Sequence, residues 1–584
     1  MKTVRKILHY TRPQLGFYLL AIVSAIISIG LSLYIPVLVG GAVDFMIGKG
    51  SVDFPKITET VIKIAISIGI IAVTQWLMSY SANAISARAT RDLRSDIFKK
   101  LNSLPLSYID SKPRGDLISR VVNDVEAVGD GLTQVITQLF SGIVTIVGTL
   151  GFMISINFRI ALVVVVLTPL SMLVAGIIGR LCARSFREQQ ELQGEISSYV
   201  EEIVGNQKVV KAFAYEKRGQ ESFEKLNKRL FKVGLKAQFA GALANPCTRF
   251  VNNMVYAATG LVGALSVISA FMGNLTIGGL SCFLTYANQY TKPFNEITGV
   301  LTQIQTALAA GERVFTLLGT DSEPDESQKK ALDTAAGELE FEHVSFSYTP
   351  DKRLIEDFSL KVRSGEQVAI VGPTGCGKTT LINLIMRFYE VDKGRILLDG
   401  TPTTDIQRGE LRKQFGMVLQ DSWLFSGTIM ENLRYGNPDA TDEEIIAAAK
   451  LCYAHSFIRK MPEGYNTRVK EGGSNLSAGQ KQLLCIARVM ALNPPMLILD
   501  EATSSIDTLT EIRVQKAFKK LMQGRTSFVV AHRLSTIRES DTILVMRDGN
   551  IVEQGNHDEL LRQRGFTMSF TIRSSRILDK TISV

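Results

Sequence analysis

Paired cysteines are missing from this sequence, and their absence narrows the folds and sites that it can form. The six cysteines are scattered, with no C-x-x-C pair and no spacing typical of metal ligands. We therefore interpret them as reduced thiols and expect neither a disulfide framework nor a cysteine-based metal centre. At 584 residues the chain is also too long for a single hydrophobic core, so two or more domains are expected.

The first long apolar run lacks the small-residue cleavage pattern that ends a secretory signal peptide. It extends from Leu15 to Val43, which is longer than the apolar region of such a peptide. A short basic and amphipathic stretch, residues 1–12, precedes it and is predicted to lie along the cytoplasmic face of the membrane. We therefore predict that Leu15 to Val43 is a membrane-spanning helix.

Long apolar runs dominate the first three hundred residues, and hydrophobic residues make up 46% of the whole chain. Each run is near the roughly 20 residues that a helix needs to cross a bilayer. Together they predict an all-α transmembrane domain of six spans over residues 1–318. After Leu15 to Val43, the predicted spans are Val61 to Ala84, Leu132 to Ile156, Ile160 to Ile178, Asn245 to Phe271 and Gly278 to Gly299.

Positive charge is concentrated in the two long segments between spans, whereas the short links are nearly balanced. By the positive-inside rule, both termini and both long segments are predicted to be cytoplasmic. The long segments read as helical hairpins that extend about 30 Å from the bilayer, with tips near residues 108–116 and 213–220. A soluble domain could push on the membrane domain at these tips, although a solvated hairpin with no such role is the alternative. The net charge of +9 fits the inner face of a membrane better than nucleic acid, so no nucleic-acid partner is expected.

The composition changes after the last predicted span. Residues 319–338 are polar and acidic with no apolar period, which predicts a linker. From Leu339 onward, short apolar strands alternate with helical patterns, so residues 339–584 are predicted to form an α/β domain.

Residues 368–380 form the strongest local motif in the chain. An apolar strand runs directly into a glycine-rich turn that matches the phosphate-loop pattern G-x-x-x-x-G-K-[ST]. Glycines let backbone N–H groups surround a phosphate chain, the lysine adds positive charge, and the following hydroxyl binds Mg²⁺. A glycine-rich turn with no ligand is the alternative. The predicted nucleotide-binding residues are Gly372, Pro373, Thr374, Gly375, Cys376, Gly377, Lys378, Thr379 and Thr380, with Thr379 on the metal.

A second apolar strand, Met496 to Leu499, ends in two carboxylates. Asp500 is predicted to hold Mg²⁺ through water and Glu501 to polarise the attacking water, because phosphoryl transfer depends on positioning and charge stabilisation. Acidic residues after a strand are also common in surface loops. Combined with the phosphate loop, however, the pair predicts nucleotide hydrolysis as well as binding.

A third motif, Leu476-Ser477-Ala478-Gly479-Gln480, lies ahead of the acid-bearing strand. It resembles the signature sequence of ATP-binding cassette (ABC) proteins, and six predicted spans before the cassette resemble the exporter branch of that family. The resemblance covers essentially the whole chain. It implies a half-transporter, in which a six-helix transmembrane domain with long cytoplasmic helical extensions is followed by an α/β P-loop cassette domain.

The resemblance also implies roles for residues outside the phosphate loop. Tyr348 matches the aromatic residue that stacks on adenine, Gln420 matches the glutamine that joins Mg²⁺ and the water to the membrane domain, and His532 matches the switch histidine at the γ-phosphate. Ser504 to Asp507 resembles the loop that crosses to the other cassette. The implied catalytic residues are thus Glu501, His532 and Gln420, the implied metal ligands are Thr379, Gln420 and Asp500, and the further ATP contacts are Tyr348, Ser477, Gly479, Gln480 and Asp507.

A dimer follows from the same resemblance. In the family, signature residues such as Ser477 and Gly479 contact ATP held by the other cassette, so one chain cannot complete a site. Hydrolysis then parts the cassettes, and the hairpin tips act as coupling helices that swing the spans between inward and outward openings.

The signature departs from the usual family pattern at three points. Ala478 replaces a glycine, Lys470 to Gly473 lacks the arginine often found after the glutamate, and Gln480 to Leu484 lacks a second basic residue. These features resemble the catalytic half of heterodimeric multidrug exporters, whose partner site has lost its catalytic glutamate. A heterodimer is therefore favoured over a homodimer, and in either case this chain supplies one intact hydrolytic site.

Polar residues within the predicted spans are candidates for substrate contact because they are costly in lipid. The resemblance makes the sixth span a cavity wall, and the expected cargo is an amphipathic small molecule, peptide or lipid. Basic side chains that snorkel to the interface are an equal alternative. The candidates are Arg249 and Asn252 on the fifth span and Asn288, Lys292 and Glu296 on the sixth.

The leading hypothesis is ATP-driven export across the cytoplasmic membrane, with both termini and the cassette in the cytoplasm. An importer on the same scaffold is one alternative, and an ATP-gated channel or a regulatory membrane ATPase is another. The absence of a peptidase-like domain ahead of the first span disfavours a transporter that processes its cargo. A wholly soluble cassette acting on nucleic acid is excluded by the six predicted spans.

Overall fold

The chain forms two compact units in the computed structural model. The structure describes residues 2–46, 52–269, 275–349, 353–419, 422–500, 507–531 and 534–563. The first unit contains residues 1–103 and 112–321, and the second contains residues 104–111 and the chain from Ser322 onward. A short segment of the N-terminal half is therefore grouped with the second unit.

The first unit consists of helices, several of which are much longer than a bilayer is thick. A helix rises 1.5 Å per residue, so the 50 residues of the third helix span about 75 Å. The helices are α1 (Lys2–Thr11), α2 (Leu15–Asp44), α3 (Phe54–Ser103), α5 (Arg114–Ser119), α6 (Val125–Gln134), α7 (Ser141–Ile156), α8 (Phe158–Gly205), α9 (Gln207–Ala212), α10 (Glu216–Ser269) and α11 (Ile277–Leu318), while α4 (Leu106–Asp110) belongs to the second unit.

Four helical stretches in the described part of the chain are long and apolar enough to cross a membrane. The predicted spans Ile160 to Ile178 and Gly278 to Gly299 lie within α8 and α11, which are both continuous helices. The four stretches are Lys2–Asp44, Phe54–Ser103, Arg114–Ile156 and Arg249–Ile268.

Helices α2 and α11 pack closely because small residues face each other where they meet. A Cβ atom at Gly40 would lie 2.6 Å from the carbonyl oxygen of Gly278, so a larger residue there would force the helices apart. The backbone N–H of Gly278 donates to the Asp44 carboxylate at 2.8 Å, which caps the first turn of α11. Further along α11, the thiol of Cys282 donates to the carbonyl of Pro36, inside α2, at 2.8 Å.

A buried carboxylate joins α11 to a π-helical turn, Arg120–Asp124, that lies between α5 and α6. Asp124 is 6% exposed. The Arg313 guanidinium donates to both of its oxygens, at 2.9 Å and 2.5 Å. Such a bidentate pair fixes both distance and orientation, so it holds α11 in one register against the turn.

The second unit is an α/β domain built on a six-stranded sheet. Its central strands are parallel and buried on both faces, which explains their continuous apolar runs. The strands are β1 (Leu339–Phe346), β2 (Ile355–Val362), β3 (Gln367–Val371), β4 (Lys393–Leu398), β5 (Thr401–Pro402), β6 (Phe415–Val418), β7 (Gly427–Thr428), β8 (Arg468–Val469), β9 (Met496–Asp500), β10 (Thr526–Val530), β11 (Thr542–Arg547) and β12 (Asn550–Gly555). The large sheet has the order β12-β11-β3-β10-β9-β6, and a four-stranded sheet has the order β2-β1-β4-β5.

The two largest hydrophobic clusters among the described residues of the second unit lie in different places. One lies between the two larger sheets and includes Phe341, Phe358 and Ile370, whereas the other fills a mainly helical region and includes Ile445 and Leu484. The helices of this unit after α4 are α12 (Lys378–Ile385), α13 (Arg408–Lys413), α14 (Ile429–Arg434), α15 (Asp442–Leu451), α16 (His455–Ile458), α17 (Ala478–Leu492), α18 (Thr508–Met522), α19 (Leu534–Glu539) and α20 (His557–Gln563).

The polar segment before β1 is attached to the second unit by buried charge. The side chains of Glu326 and Arg387 are only 7% and 5% exposed. The Glu326 carboxylate forms an ion pair with the Arg387 guanidinium at 2.9 Å. The Arg408 guanidinium forms a second ion pair with Glu326 at 2.8 Å. The backbone N–H of Arg408 also donates to the Glu326 carboxylate at 2.8 Å. Residues 336–338 then donate three backbone N–H groups to Asp399. The segment is therefore held against the sheet over much of its length.

Candidate functional site

The predicted phosphate loop connects β3 to α12 in a conformation that requires glycine. Gly375 and Gly377 have φ values of +83° and +103°, where other L-residues are strained. No atom lies within 4 Å of the position that a Cβ of Gly375 would occupy, so the turn is open above this backbone. The loop leads into the N-terminus of α12, whose first N–H groups have no partner within the helix. This combination is suited to a chain of phosphates.

Lys378 lies in the first turn of α12 and folds back over the loop. Its ammonium donates to the carbonyl oxygens of Gly372 and Pro373, at 2.8 Å and 2.9 Å. The charge is thus held directly above the open turn, and it can exchange these neutral carbonyls for phosphate oxygens. Cys376, a residue of the same loop, is 3% exposed and belongs to the hydrophobic cluster that includes Ile370.

Tyr348 is joined to the helix that follows the phosphate loop. The Asn383 amide, on α12, donates to its hydroxyl at 3.1 Å, and the ring packs edge-on against Phe346 and Tyr389. The side chain is still 46% exposed. One aromatic surface therefore remains accessible beside the phosphate loop.

The carboxyl ends of the parallel strands bring Asp500 to the same edge of the sheet as the start of the phosphate loop. Asp500 ends β9 and pairs in register with Val530 of β10, which pairs with Ile370 of β3 just before the phosphate loop. Ligands of open α/β sheets bind at this edge. Glu501, His532 and Gln420, the predicted catalytic residues, lie outside the described residues.

The predicted signature segment begins α17. Ser477 is its N-cap and forms a reciprocal capping box with Gln480: the serine Oγ accepts from the Gln480 N–H at 3.3 Å, and Gln480 Oε1 accepts from the Ser477 N–H at 3.0 Å. Gly479 is buried in the first turn. Lys481, the basic residue in the run from Gln480 to Leu484, donates to the carbonyl of Gly472 at 2.8 Å. No hydrogen bond within the described chain joins Ser477 or Gln480 to the phosphate loop.

Asp507 has a local structural partner. Its carboxylate caps α18 by accepting the N–H of Thr510 at 2.9 Å, and this backbone hydrogen bond lowers the pKa of the fully exposed aspartate.

Comparisons with known proteins agree over both units. A family model of the ABC transporter transmembrane region matches residues 18–294, and the ABC transporter model matches residues 355–504. A fatty acid ABC transporter ATP-binding/permease protein of Mycobacterium bovis is 42% identical over 525 residues, covering 90% of this chain and 82% of that protein.

The chain belongs to the ABC transporter family.

Two further comparisons identify the branch of ABC transporters. An ATP-dependent lipid A-core flippase of Desulfotalea psychrophila is 38% identical over 476 residues, covering 81% of this chain and 82% of that protein. The structure of a bacterial Atm1-family ABC exporter with ATP bound has a TM-score of 0.77 at 28% identity, covering 96% of this chain and 98% of that one. The predicted fold class is therefore confirmed, and the protein is a half-size ABC exporter.

Three properties follow from this membership. The ABC transporter binds ATP and couples its hydrolysis to transport, it is embedded in a membrane, and it works as a dimer. The phosphate loop fits the nucleotide because the space above Gly375, which a Cβ would partly fill, is open. Thr379 is exposed at the start of α12, which leaves its hydroxyl accessible to a cation.

The described residues also fit the way in which proteins hold Mg²⁺ beside ATP. They contain no group of three or more His, Cys, Asp or Glu side chains that could form an all-protein metal site. Mg²⁺ at nucleotide sites instead keeps waters and uses one or two protein ligands together with phosphate oxygens. A hydroxyl on α12 and a carboxylate at the end of β9 match that requirement.

Sequence reasoning missed one contact of the hairpin near residue 110. The Tyr389 hydroxyl donates to the Asp110 carboxylate on α4 at 2.7 Å. Burial, followed by this hydrogen bond to the carboxylate, raises the pKa of Tyr389, so the phenol keeps its proton at neutral pH. The two residues are 279 positions apart, and no local pattern could have paired them.

Helix α11 has a buried face and an exposed face, and its described substrate candidates lie on the exposed one. Phe283, Tyr286 and Ala287 are buried in the helical core, whereas Asn288 and Lys292 lie on the opposite, exposed face. Glu296 follows Lys292 by about one turn, and its side chain lies outside the described residues. On α10, Arg249 is exposed and Asn252 is half-buried.

Proposed function

We propose that this half-transporter exports amphipathic molecules with an acidic headgroup, using ATP hydrolysed with Glu501 as the residue that polarises water. The observation that carries the substrate class is the exposed face of α11. It presents the amide of Asn288 and the ammonium of Lys292 one turn apart, while the opposite face is packed into the bundle. Polar groups on a span are retained where they line a cavity or a water-filled path.

The relatives support an amphipathic cargo. Their names refer to a fatty acid transporter and to a lipid A-core flippase. A fatty acid combines an apolar chain with a negative group, and Lys292 and Arg249 offer the complementary charge. The apolar residues Phe250 and Met254, exposed on α10 beside Arg249, offer a surface for the chain. Export is favoured over import because the structural relative is an exporter.

The proposed catalytic centre uses groups from both partners of the dimer. Thr379, Asp500 and Gln420 hold Mg²⁺, His532 contacts the γ-phosphate, and Ser477 and Gly479 approach ATP bound to the other cassette. A helix N-terminus favours an anion, so α17 is suited to that contact. We propose that the partner is a different half-transporter, that the cassette and both termini face the cytoplasm, and that residues 108–116 and 213–220 couple the cassettes to the spans.

The substrate class is tested by the effect of amphiphiles on ATPase activity. We expect a long-chain fatty acid to stimulate the wild-type dimer more than the corresponding alcohol, because only the acid is attracted to Lys292. In Lys292→Gln, the difference between the ATPase stimulation by the acid and that by the alcohol should be several-fold smaller. Lys232→Gln, which removes an exposed charge from α10 outside the apolar stretch, is the control and should behave as wild type. Equal stimulation by acid and alcohol in the wild type would contradict the acidic headgroup.

A further inference from the structure

The N-terminal helix forms one wall of a cavity that is separate from the proposed cargo residues. This cavity, of about 880 Å³, is bounded by α1, the first turn of α2 and the last turn of α11. All three belong to the first unit. Asn288 and Lys292 do not line it.

Helix α1 is held firmly enough to form a defined wall. Ile7 and Thr11 are buried, and the Tyr10 hydroxyl donates to Asp96 of α3 at 2.9 Å. The Lys6 ammonium lies 5.3 Å from the centre of the Phe315 ring on α11, a distance typical of a cation–π contact. The charged side of α1 is therefore oriented by its packing.

The ionisable nitrogen-bearing side chains that line the cavity are all basic, and the other polar groups in its lining are the hydroxyls of Tyr10, Thr11 and Tyr18. Five residues of α1 and the turn after it contribute, namely Lys2, Arg5, Lys6, His9 and Arg12, and no carboxylate lines the cavity. In the part of the chain that the structure describes, none of the lysines or arginines among them forms an ion pair with a carboxylate. Like charges at this spacing repel one another, so an anion that enters the cavity relieves the repulsion.

The apolar lining continues the cavity towards the first span. Leu8 and Leu15 are 51% and 69% exposed, and Tyr18, Phe315 and Leu318 complete the wall. The end of the cavity formed by Leu15 and Tyr18 adjoins the point where α2 enters its apolar stretch, and lipid headgroups meet acyl chains at such a boundary. An occupant must therefore be anionic at one end and apolar at the other.

From this charge and position, we propose that the cavity binds the headgroup of one anionic phospholipid of the surrounding bilayer. Its phosphate lies among the α1 cations, and its acyl chains follow Leu8 and Leu15. Because α1 also packs on α11, the lipid links the N-terminal helix to the C-terminal end of α11. The site is separate from the proposed cargo residues and does not depend on transport.

Lipid binding is tested on the purified dimer in a neutral detergent without ATP. Phosphatidylglycerol is expected to raise the melting temperature at concentrations where phosphatidylcholine and inorganic phosphate do not. In the variant Arg5→Gln/Lys6→Gln/Arg12→Gln, the apparent affinity for phosphatidylglycerol should fall at least tenfold. Lys225→Gln/Lys232→Gln/Lys236→Gln removes the same number of exposed charges from α10 and should bind as wild type.

A second measurement needs no variant. A photoactivatable phosphatidylglycerol should label peptides containing residues 2–18 or 315–319 of the wild-type protein, and excess unlabelled phosphatidylglycerol should prevent the labelling. Labelling confined to other segments would overturn the proposal. So would equal stabilisation by phosphatidylcholine or inorganic phosphate, or unchanged affinity in the α1 variant.

Discussion

The phosphate loop shows how single residues determine the chemistry at one edge of the sheet. Gly375 and Gly377 take backbone angles that other residues avoid, and Lys378 is already positioned over the turn by two carbonyls. These features bind a triphosphate but do not cleave it. The proposed step from binding to cleavage depends on Glu501, which follows the last residue of β9.

Replacing Glu501 by glutamine should separate ATP binding from hydrolysis. The amide occupies the same volume but cannot polarise the attacking water, so turnover is expected to fall by about 10²- to 10⁴-fold. Binding of ATP, measured by equilibrium titration, should remain within about twofold of wild type. Glu443→Gln, an exposed carboxyl in the first turn of α15, is the matched control and should leave both quantities unchanged. Wild-type turnover in Glu501→Gln would remove this residue from the mechanism.

At the scale of elements, the polar segment before β1 is fixed by one buried carboxylate. Burial alone would raise the pKa of Glu326, but hydrogen bonds from Lys329 and the Arg408 N–H, with the charges of Arg387 and Arg408, outweigh it and lower the pKa. The carboxylate is thus favoured in its charged form. Because Arg387 is also buried, the attachment of the polar segment to the second unit depends on the ion pair between Glu326 and Arg387.

The variant Glu326→Gln should loosen the segment and destabilise the second unit. Removing one partner of a buried ion pair typically costs about 3–5 kcal/mol, because the remaining charge is left without compensation. We expect a lower melting temperature and faster proteolysis within residues 319–338. Glu323→Gln, whose ion pair with Arg412 is about 30% exposed, is the control, since such pairs contribute about 1 kcal/mol or less.

The same carboxylate predicts a pH dependence with a definite sign. A lowered folded-state pKa contributes stability above the ordinary value of 4.5, and this contribution is lost as the pH falls through the folded-state value. Proteolysis of the wild-type segment should therefore accelerate below about pH 4.5. Glu326→Gln should be cleaved rapidly at neutral pH as well, with a smaller change on acidification. Equal pH profiles in the two proteins would contradict the assignment.

Helix α4 is a second element whose contact is testable. It is continuous in sequence with the long α3 and with α5, yet it is grouped with the second unit and bound there through Asp110 and Tyr389. We expect Tyr389→Phe to keep ATPase activity but to transport several-fold less cargo per ATP, because the lost hydrogen bond contributes about 1 kcal/mol to docking of α4. Tyr435→Phe, an exposed tyrosine elsewhere in the unit, is the control. An unchanged transport-to-ATPase ratio would assign the contact to stability alone.

At the scale of the whole molecule, the assembly follows from incomplete sites. The family works as dimers, and no hydrogen bond within the described chain joins the α17 N-terminus to the phosphate loop. We predict that this chain, purified alone, has at most weak ATPase activity, and that co-expression with its companion half-transporter restores it. Size-exclusion chromatography with light scattering and an ATPase assay check both statements. Full activity in a dimer of this chain alone would establish a homodimer.

Local chemistry made part of this architecture predictable from sequence. The phosphate loop is contiguous because its backbone must surround one ligand, and long apolar runs identify spans because the bilayer has a fixed thickness. Contacts between residues that are far apart in the sequence produce no local pattern from which they could be predicted. The composition of residues 319–338 indicates a polar segment but not the buried pair of Glu326 with Arg387. Similarly, Asp124 and Arg313 lie on different helices, 189 residues apart.

ATP hydrolysis in this dimer is proposed to move an amphiphile across a bilayer, and a transport assay with sealed inside-out vesicles can check this. With ATP, vesicles carrying the wild-type pair should accumulate a labelled fatty acid in their lumen to a concentration above that outside. Vesicles carrying Glu501→Gln should reach only equilibrium. If wild-type vesicles with ATP merely equalise the two concentrations, or accumulate no more than the variant, the account of ATP-driven export is wrong.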